Sequence, residues 1–174
     1  MKGLRSIPRI LKINNVNGYS VSLLFNNGES RIIDFNYFIK VILNKKPGKL
    51  GYELIEDKSL FKKIKVIGTT VGWKEIGRKV KNIDGVEEFL PYDLDPLMIY
   101  NNSVPDDERN IIVGMKIRSA RIEAGLTQEQ LAHKSGTSKH YISRLENNKS
   151  DIELLTLKKI VEAGLGKKLS VEIS

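Results

Sequence analysis

The sequence contains no cysteine and only two histidines, His133 and His140. Without thiols there is no disulfide framework, no thiolate nucleophile and no zinc or iron–sulfur site that needs sulfur ligands. A centre built from several histidines is excluded as well. Long apolar runs are also missing: the longest, Leu97 to Tyr100, has four residues, whereas a membrane span needs about 18 or more. Near the start, Lys12 and Asn14 interrupt any signal-peptide core that Met1, Lys2 and Arg5 could introduce. The expectation is a soluble protein of the reducing cytoplasm, with no metal, no cofactor and no membrane partner.

What is present is ordinary for a globular chain: 174 residues, 40% hydrophobic, 7% aromatic and 29% charged. At roughly 100 to 200 residues per domain, this length suits one medium domain or two small ones. The net charge of +8 suggests attraction to a polyanion, nucleic acid being the commonest. Its distribution qualifies that reading. Lys40 to Lys81 holds 12 basic and 4 acidic side chains, Asn82 to Glu108 holds 8 acidic and no basic ones, and residues 111–174 hold 11 basic and 7 acidic. The basic stretch therefore reads either as a solvated face lying beside the acidic one or as a patch for phosphates or a partner.

The polar, turn-rich run Asn101 to Glu108 looks like a linker, giving domains at 1–102 and 111–174 joined by 103–110. Before it the pattern is mainly strand. Tyr19 to Phe25 and Glu29 to Phe35 are rich in β-branched and aromatic residues, and Asn26-Asn27-Gly28 between them predicts a β-hairpin. A short helix is expected over Asn36 to Asn44, further strand from Ile64 to Trp73 broken at Gly68 and Gly72, and a helical turn at Asp95 to Tyr100. The fold class is thus an α+β N-terminal domain, mainly antiparallel strands with short helices, followed by an all-helical C-terminal domain.

Four amphipathic segments are expected in that second domain. Ile111 to Ala124 closes on Gly125; Thr127 caps the next, with Gln130 as its capping-box partner, up to Gly136; Ser138 caps the third, as far as Asn147; and Glu153 to Ala163 closes on Gly164. Only Gly136-Thr137 joins the second and third, which forces a steep crossing, the geometry of a helix-turn-helix. Ala132 and Ile142 suit the contact between them. The opposite face of the third helix offers Lys139, His140, Ser143 and Arg144, all donors or acceptors that the core does not need. His133 reads as a surface residue.

Arg121 to Ala132, Gly136-Thr137-Ser138 and Tyr141 to Asn147 together resemble the helix-turn-helix of phage Cro and repressor proteins, over about 55 residues. The resemblance implies that residues at Gln128, Lys139, His140 and Arg144 lie at the major groove and that Asn147 and Lys149 contact phosphates. It also implies a largely buried ion pair between Arg121 and Glu146. Groove chemistry agrees: Arg144 can bond a guanine bidentately, and Lys139 can reach its O6 or N7. The helix N-termini at Thr127 and Ser138 suit backbone phosphates. The expected site therefore reads bases through Lys139, His140, Ser143 and Arg144, and holds phosphates through Thr127, Gln128, Ser138, Asn147 and Lys149.

The tail Gly166 to Ser174 alternates apolar and polar residues, so a short terminal strand is expected. It would pair either with its copy in a second subunit, making a two-fold dimer, or with the N-terminal sheet. In the first domain, Phe25 to Glu29, Ile33-Asp34-Phe35, Phe61 with Val66, Trp73, and Tyr92 to Pro96 resemble a small bacterial α+β family of unknown function. Members of that family are often fused to this helix-turn-helix or encoded beside a toxin, and the resemblance names no chemistry. No Walker loop, dinucleotide fingerprint, nucleophile elbow or zinc-binding helix is found. Asp93, Asp95, Asp106, Asp107 and Glu108 read as turn formers, a helix cap and linker residues, and Trp73 with Tyr37 and Phe61 as core.

The expected function is that of a non-enzymatic, sequence-specific DNA-binding transcriptional regulator, a dimeric repressor on double-stranded DNA. Two alternatives stand beside it. One is an antitoxin whose N-terminal domain binds a toxin while the helix-turn-helix autoregulates; the other is a regulator sensing a metabolite in that domain.

Overall fold

A computed structural model of the chain describes residues 7–111 and 113–172. The signal-peptide reading of Met1, Lys2 and Arg5, the helical assignment of Ile112, and Ile173 and Ser174 of the expected tail strand lie outside these residues. The chain divides into two compact units, Met1–Asn110 and Ile111–Ser174.

In the first unit, β1 (Ile10–Asn17), β2 (Ser20–Phe25) and β3 (Ser30–Asp34) form an antiparallel meander. Val21, Leu23, Phe25 and Ile33 are buried on one face of the meander, as the period-2 pattern dictates, and of their neighbours Ser22 is buried too, while Leu24 and Ile32 are half-buried. Gly28, at φ 82°, supplies the left-handed residue of the β2–β3 turn. Asp34 caps α1 (Phe35–Tyr37) by accepting from the backbone N–H groups of Asn36 and Tyr37, and the helix widens into a π-type turn over Phe38–Ile42. Two further short helices follow, α2 (Glu53–Glu56) and α3 (Lys58–Phe61). A second antiparallel sheet contains β4 (Lys65–Ile67), β5 (Thr70–Lys81) and β6 (Glu87–Asp93). Then α4 (Pro96–Asn101) starts on Asp95, which accepts from the N–H groups of Leu97 and Met98.

The core of this unit is aromatic. Phe35, Phe61 and Trp73 are fully buried with ring centroids 5.6 to 6.0 Å apart, and the Trp73 indole N–H donates to the Phe61 carbonyl at 2.8 Å. Tyr37, expected in this cluster, is instead 56% exposed, because it sits on the outer side of α1; Tyr92 takes the place beside Trp73. Gly72 does not break its strand. A Cβ at that position would meet the Tyr92 carbonyl oxygen at 2.5 Å, so the glycine lets β5 lie close against β6. The acidic stretch does run beside the basic one: Lys81 is opposite Glu87 in the β5–β6 register, and Lys79 reaches Glu87 at 3.8 Å.

The expected linker is built into the first unit. Val104–Pro105, β7, pairs with Arg31 and Ile32 of β3. Asp106 is buried, its N–H donates to the Ser30 carbonyl at 2.9 Å, and its carboxylate accepts from the Ser22 hydroxyl. The Asn110 amide bonds the Ser30 N–H at 2.8 Å and its carbonyl at 2.9 Å. A polar run whose groups pair with a sheet edge has the same local composition as a solvated one, which is why sequence alone misjudged it.

The second unit holds α5 (Val113–Glu123), α6 (Gln128–Ser135), α7 (Lys139–Glu146) and α8 (Leu154–Lys159), the last widening into a π-type turn over Ile160–Gly164. Ile117, Leu131, Ala132, Ile142, Leu145 and Ile160 form its buried centre. The expected terminal strand is not seen among the described residues: 167–172 carry no strand. An isolated strand has no ladder to join, so nothing within one chain of this unit would hold it extended.

Candidate nucleic-acid interface

Local signals fix the helix pair. Thr127 accepts from the Gln130 N–H at 3.1 Å while the Gln130 side chain accepts from the Thr127 N–H at 2.8 Å, a complete capping box at the start of α6. Gly136 ends α6 at φ 64°, ψ 35°, where a glycine carries no Cβ penalty, and its N–H returns to the Ala132 and His133 carbonyls. Ser138 then caps α7, accepting from the Tyr141 N–H at 3.1 Å. Ile142, Leu145 and Glu146 turn inward, while Lys139, His140 and Arg144 stay exposed and Ser143 half-buried. On α5, a Cβ at Gly114 would lie 2.1 Å from the Leu145 carbonyl oxygen, so backbone packs directly on backbone where α7 ends.

The pair Arg121–Glu146 is bidentate. Nε donates to Oε1 at 2.6 Å and Nη2 to Oε2 at 2.9 Å, with side chains only 12% and 1% exposed. The third nitrogen, Nη1, donates to the Leu126 carbonyl at 2.7 Å, tying the α5–α6 loop to the pair. Gln128 Nε2 donates to Glu146 Oε2 at 2.8 Å, so the first residue of α6 is fastened to the last residue of α7. Burial pushes the Glu146 pKa up, but hydrogen bonds from Arg121 and Gln128, with the charges of Arg121 and Arg118, outweigh it and hold the carboxyl below its usual value.

That direction sets a pH dependence. A depressed carboxylate contributes its full stabilisation above its ordinary value of 4.5 and loses it as pH falls through the lower folded value. Arg121, its pKa raised by the Glu146 hydrogen bond, stays charged throughout. The helical melting temperature should therefore drop on acidification below about pH 4.5 more steeply in the wild type than in Glu146→Gln. Circular-dichroism melts from neutral pH downward measure this, and equal slopes would show that the carboxylate adds no pH-linked stability.

The other expected site residues fall as follows. Thr127, Ser138, Asn147 and Lys149 are exposed and Gln128 is half-buried. Lys139 lies 3.7 Å from Glu129. Arg144 Nη2 donates to the Lys149 carbonyl at 3.0 Å, and its side chain is exposed. The Asn147 amide donates to the Ser143 carbonyl at 2.7 Å. Sequence reasoning did not anticipate the Gln128 and Arg144 bonds, since neither partner follows from spacing. It also passed over a shallow groove of about 390 Å³ beside the start of α7, lined by Thr137, Ser138, Tyr141, Asp151, Glu153, Thr156 and Lys159. Burial there, with Glu153 and Asp151 nearby, pushes the Tyr141 hydroxyl pKa up, so it stays protonated and able to donate. Among the described residues no group of three or more His, Asp or Glu could hold a metal ion, and no helix is long and apolar enough to cross a membrane.

A short cross-braced helix pair with a polar outward face defines a helix-turn-helix protein of the DNA-binding regulator type. The chain belongs, through its C-terminal unit, to the Cro/C1-type helix-turn-helix family (HTH_3), whose profile matches residues 117–164. Among solved structures, the restriction-modification controller protein C.Esp1396I matches with 37% identity over 33% of this chain and 74% of that one, at a TM-score of 0.32. An alanine variant of the same controller matches with 35% identity over 33% and 73%, also at 0.32. A candidate DNA-binding protein of Nitrosomonas europaea, NE0471, matches with 13% identity over 88% of this chain and 84% of that one, at 0.33. No curated protein matches the chain.

Proposed function

We propose that the chain is a sequence-specific repressor that binds a palindromic operator as a homodimer, with α7 in the major groove. One observation carries this reading: α7 is anchored by Ile142, Leu145 and the Arg121–Glu146 pair, yet keeps Lys139, His140 and Arg144 exposed on its opposite face. In this reading Lys139, His140, Ser143 and Arg144 address base edges, with Arg144 bidentate on a guanine. Thr127, Gln128, Ser138, Asn147 and Lys149 contact phosphates and fix the register. The two copies of α7 then address half-sites about 34 Å apart. Gln128 is the hinge of the arrangement: one amide N–H is spent on Glu146 and the other remains for a phosphate oxygen.

Selection of bound duplexes from a random pool tests it. The wild type should enrich a two-fold symmetric site, with affinity falling steeply as salt rises. Arg144→Ala should lose preference at one base pair in each half-site, a discrimination of about 1 to 3 kcal/mol, or roughly 5- to 150-fold. Identical selected sequences at equal affinity for both proteins would remove Arg144 as a base reader.

A further inference from the structure

Past Gly77, β5 and β6 run on as a two-stranded ribbon: Gly77 faces Pro91, Arg78 Leu90, Lys79 Phe89, Val80 Glu88 and Lys81 Glu87. The register slips between Trp73 and Gly77, and the core goes no further than Ile76 and Tyr92. Since β4 pairs with β5 only as far as Gly72, neither edge of the ribbon has a neighbouring strand among the described residues. An isolated two-stranded ribbon is marginal in water, and open edges invite association. The side chains add to this. Ile83 is fully exposed at the tip, and Phe89 on one face and Val86 and Leu90 on the other are exposed as well, apolar groups with no core to enter.

The charges say what would cover it. The ribbon carries Arg78, Lys79 and Lys81 on one strand, and Asp84, Glu87 and Glu88 in the turn and on the other, three against three. A polyanion gains nothing from a neutral arm, so nucleic acid is a poor occupant. A second ribbon is a good one. Residues paired across the strands share a face, which puts Lys79, Phe89, Lys81 and Glu87 together on one side. Rotating a copy by half a turn about an axis parallel to the ribbon sets its basic strand over the first copy's acidic strand. Lys81 then meets the other Glu87, and the Phe89 rings sit near the centre. The contact is self-complementary, as a two-fold interface requires.

We propose that two copies of this chain pair face to face through the Gly77–Lys81 and Glu87–Pro91 ribbon, centred on Phe89. This deepens the homodimer part of the reading above and does not depend on which bases α7 addresses. Light scattering on the full chain at micromolar concentration should report a dimer, and Phe89→Glu should weaken it about tenfold or more. Because the chain has no cysteine, single cysteines give unique handles: Lys79→Cys, opposite Phe89 on the proposed face, should yield a covalent dimer with a short bismaleimide, and Val41→Cys, exposed on the π-type turn, should not. Unchanged Trp73 fluorescence verifies that each variant keeps its core. A monomeric wild type, a dimer indifferent to Phe89→Glu, or equal cross-linking at both cysteines would overturn the proposal. A dimer that survives Phe89→Glu with normal operator selection overturns the ribbon alone, whereas a ribbon-dependent dimer with no Arg144 effect overturns the reader alone.

Discussion

Glu146→Ala is expected to destabilise the C-terminal unit by about 3 to 5 kcal/mol, because it strands a cation whose partner was buried. The Arg121 guanidinium would keep only its bond to the Leu126 carbonyl, and the Gln128 amide would lose its acceptor. For a domain of this size each kcal/mol moves the midpoint by about 4 to 8 °C, so the helical transition should fall by about 12 to 40 °C. Two probes separate the units. The chain has a single tryptophan, Trp73, in the core of the first unit, whereas the helical circular-dichroism signal is strongest in the second. The helical transition should move to lower temperature while the fluorescence transition stays. A helical midpoint within about 5 °C of wild type, less than about 1 kcal/mol, would mean that the pair is replaceable by water.

Much of this unit was legible because its determinants are local. Thr127, Gln130, Gly136 and Ser138 each act within four residues, and the inward positions Ile142 and Leu145 follow from the helical period. The contact between Arg121 and Glu146 spans 25 residues, and no local rule yields it; resemblance alone suggested it. Gln128 on Glu146, and Arg144 on the Lys149 carbonyl, depend on how the helices cross and how α7 ends, so neither could be read from spacing.

The first unit was less legible for the same reason. The β2–β3 hairpin announced itself through Asn26-Asn27-Gly28, and Asp95 announced α4. β1 mixes Lys12, Asn14 and Asn15 among its apolar residues, and it is a strand because β2 offers it an edge. α2 and α3 are one turn each, too short for a period to show. β6 contains Glu87, Glu88 and Pro91, poor strand formers whose pairing with β5 overrides propensity. Ser103 to Asn110 joined the sheet through Ser22, Ser30 and Arg31, which are more than 70 residues earlier.

The converse of the Glu146 experiment is Phe61→Ala, which should cost the first unit about 3 to 5 kcal/mol and leave the helical unit unmoved. Phe61 is fully buried, with Tyr19, Phe35 and Trp73 against its ring at centroid distances of 4.9 to 5.6 Å. Truncation removes these contacts and leaves a void that the surrounding rings cannot close without leaving their own rotamers. It spares the backbone carbonyl that accepts the Trp73 indole N–H, so the fluorescent probe keeps its hydrogen bond. The two cores share no residue. Fluorescence should therefore melt early while the helical circular-dichroism signal of the second unit holds. Equal loss in both probes would show that the first unit supports the fold of the second, and α7 would then owe its order to residues far from it in sequence.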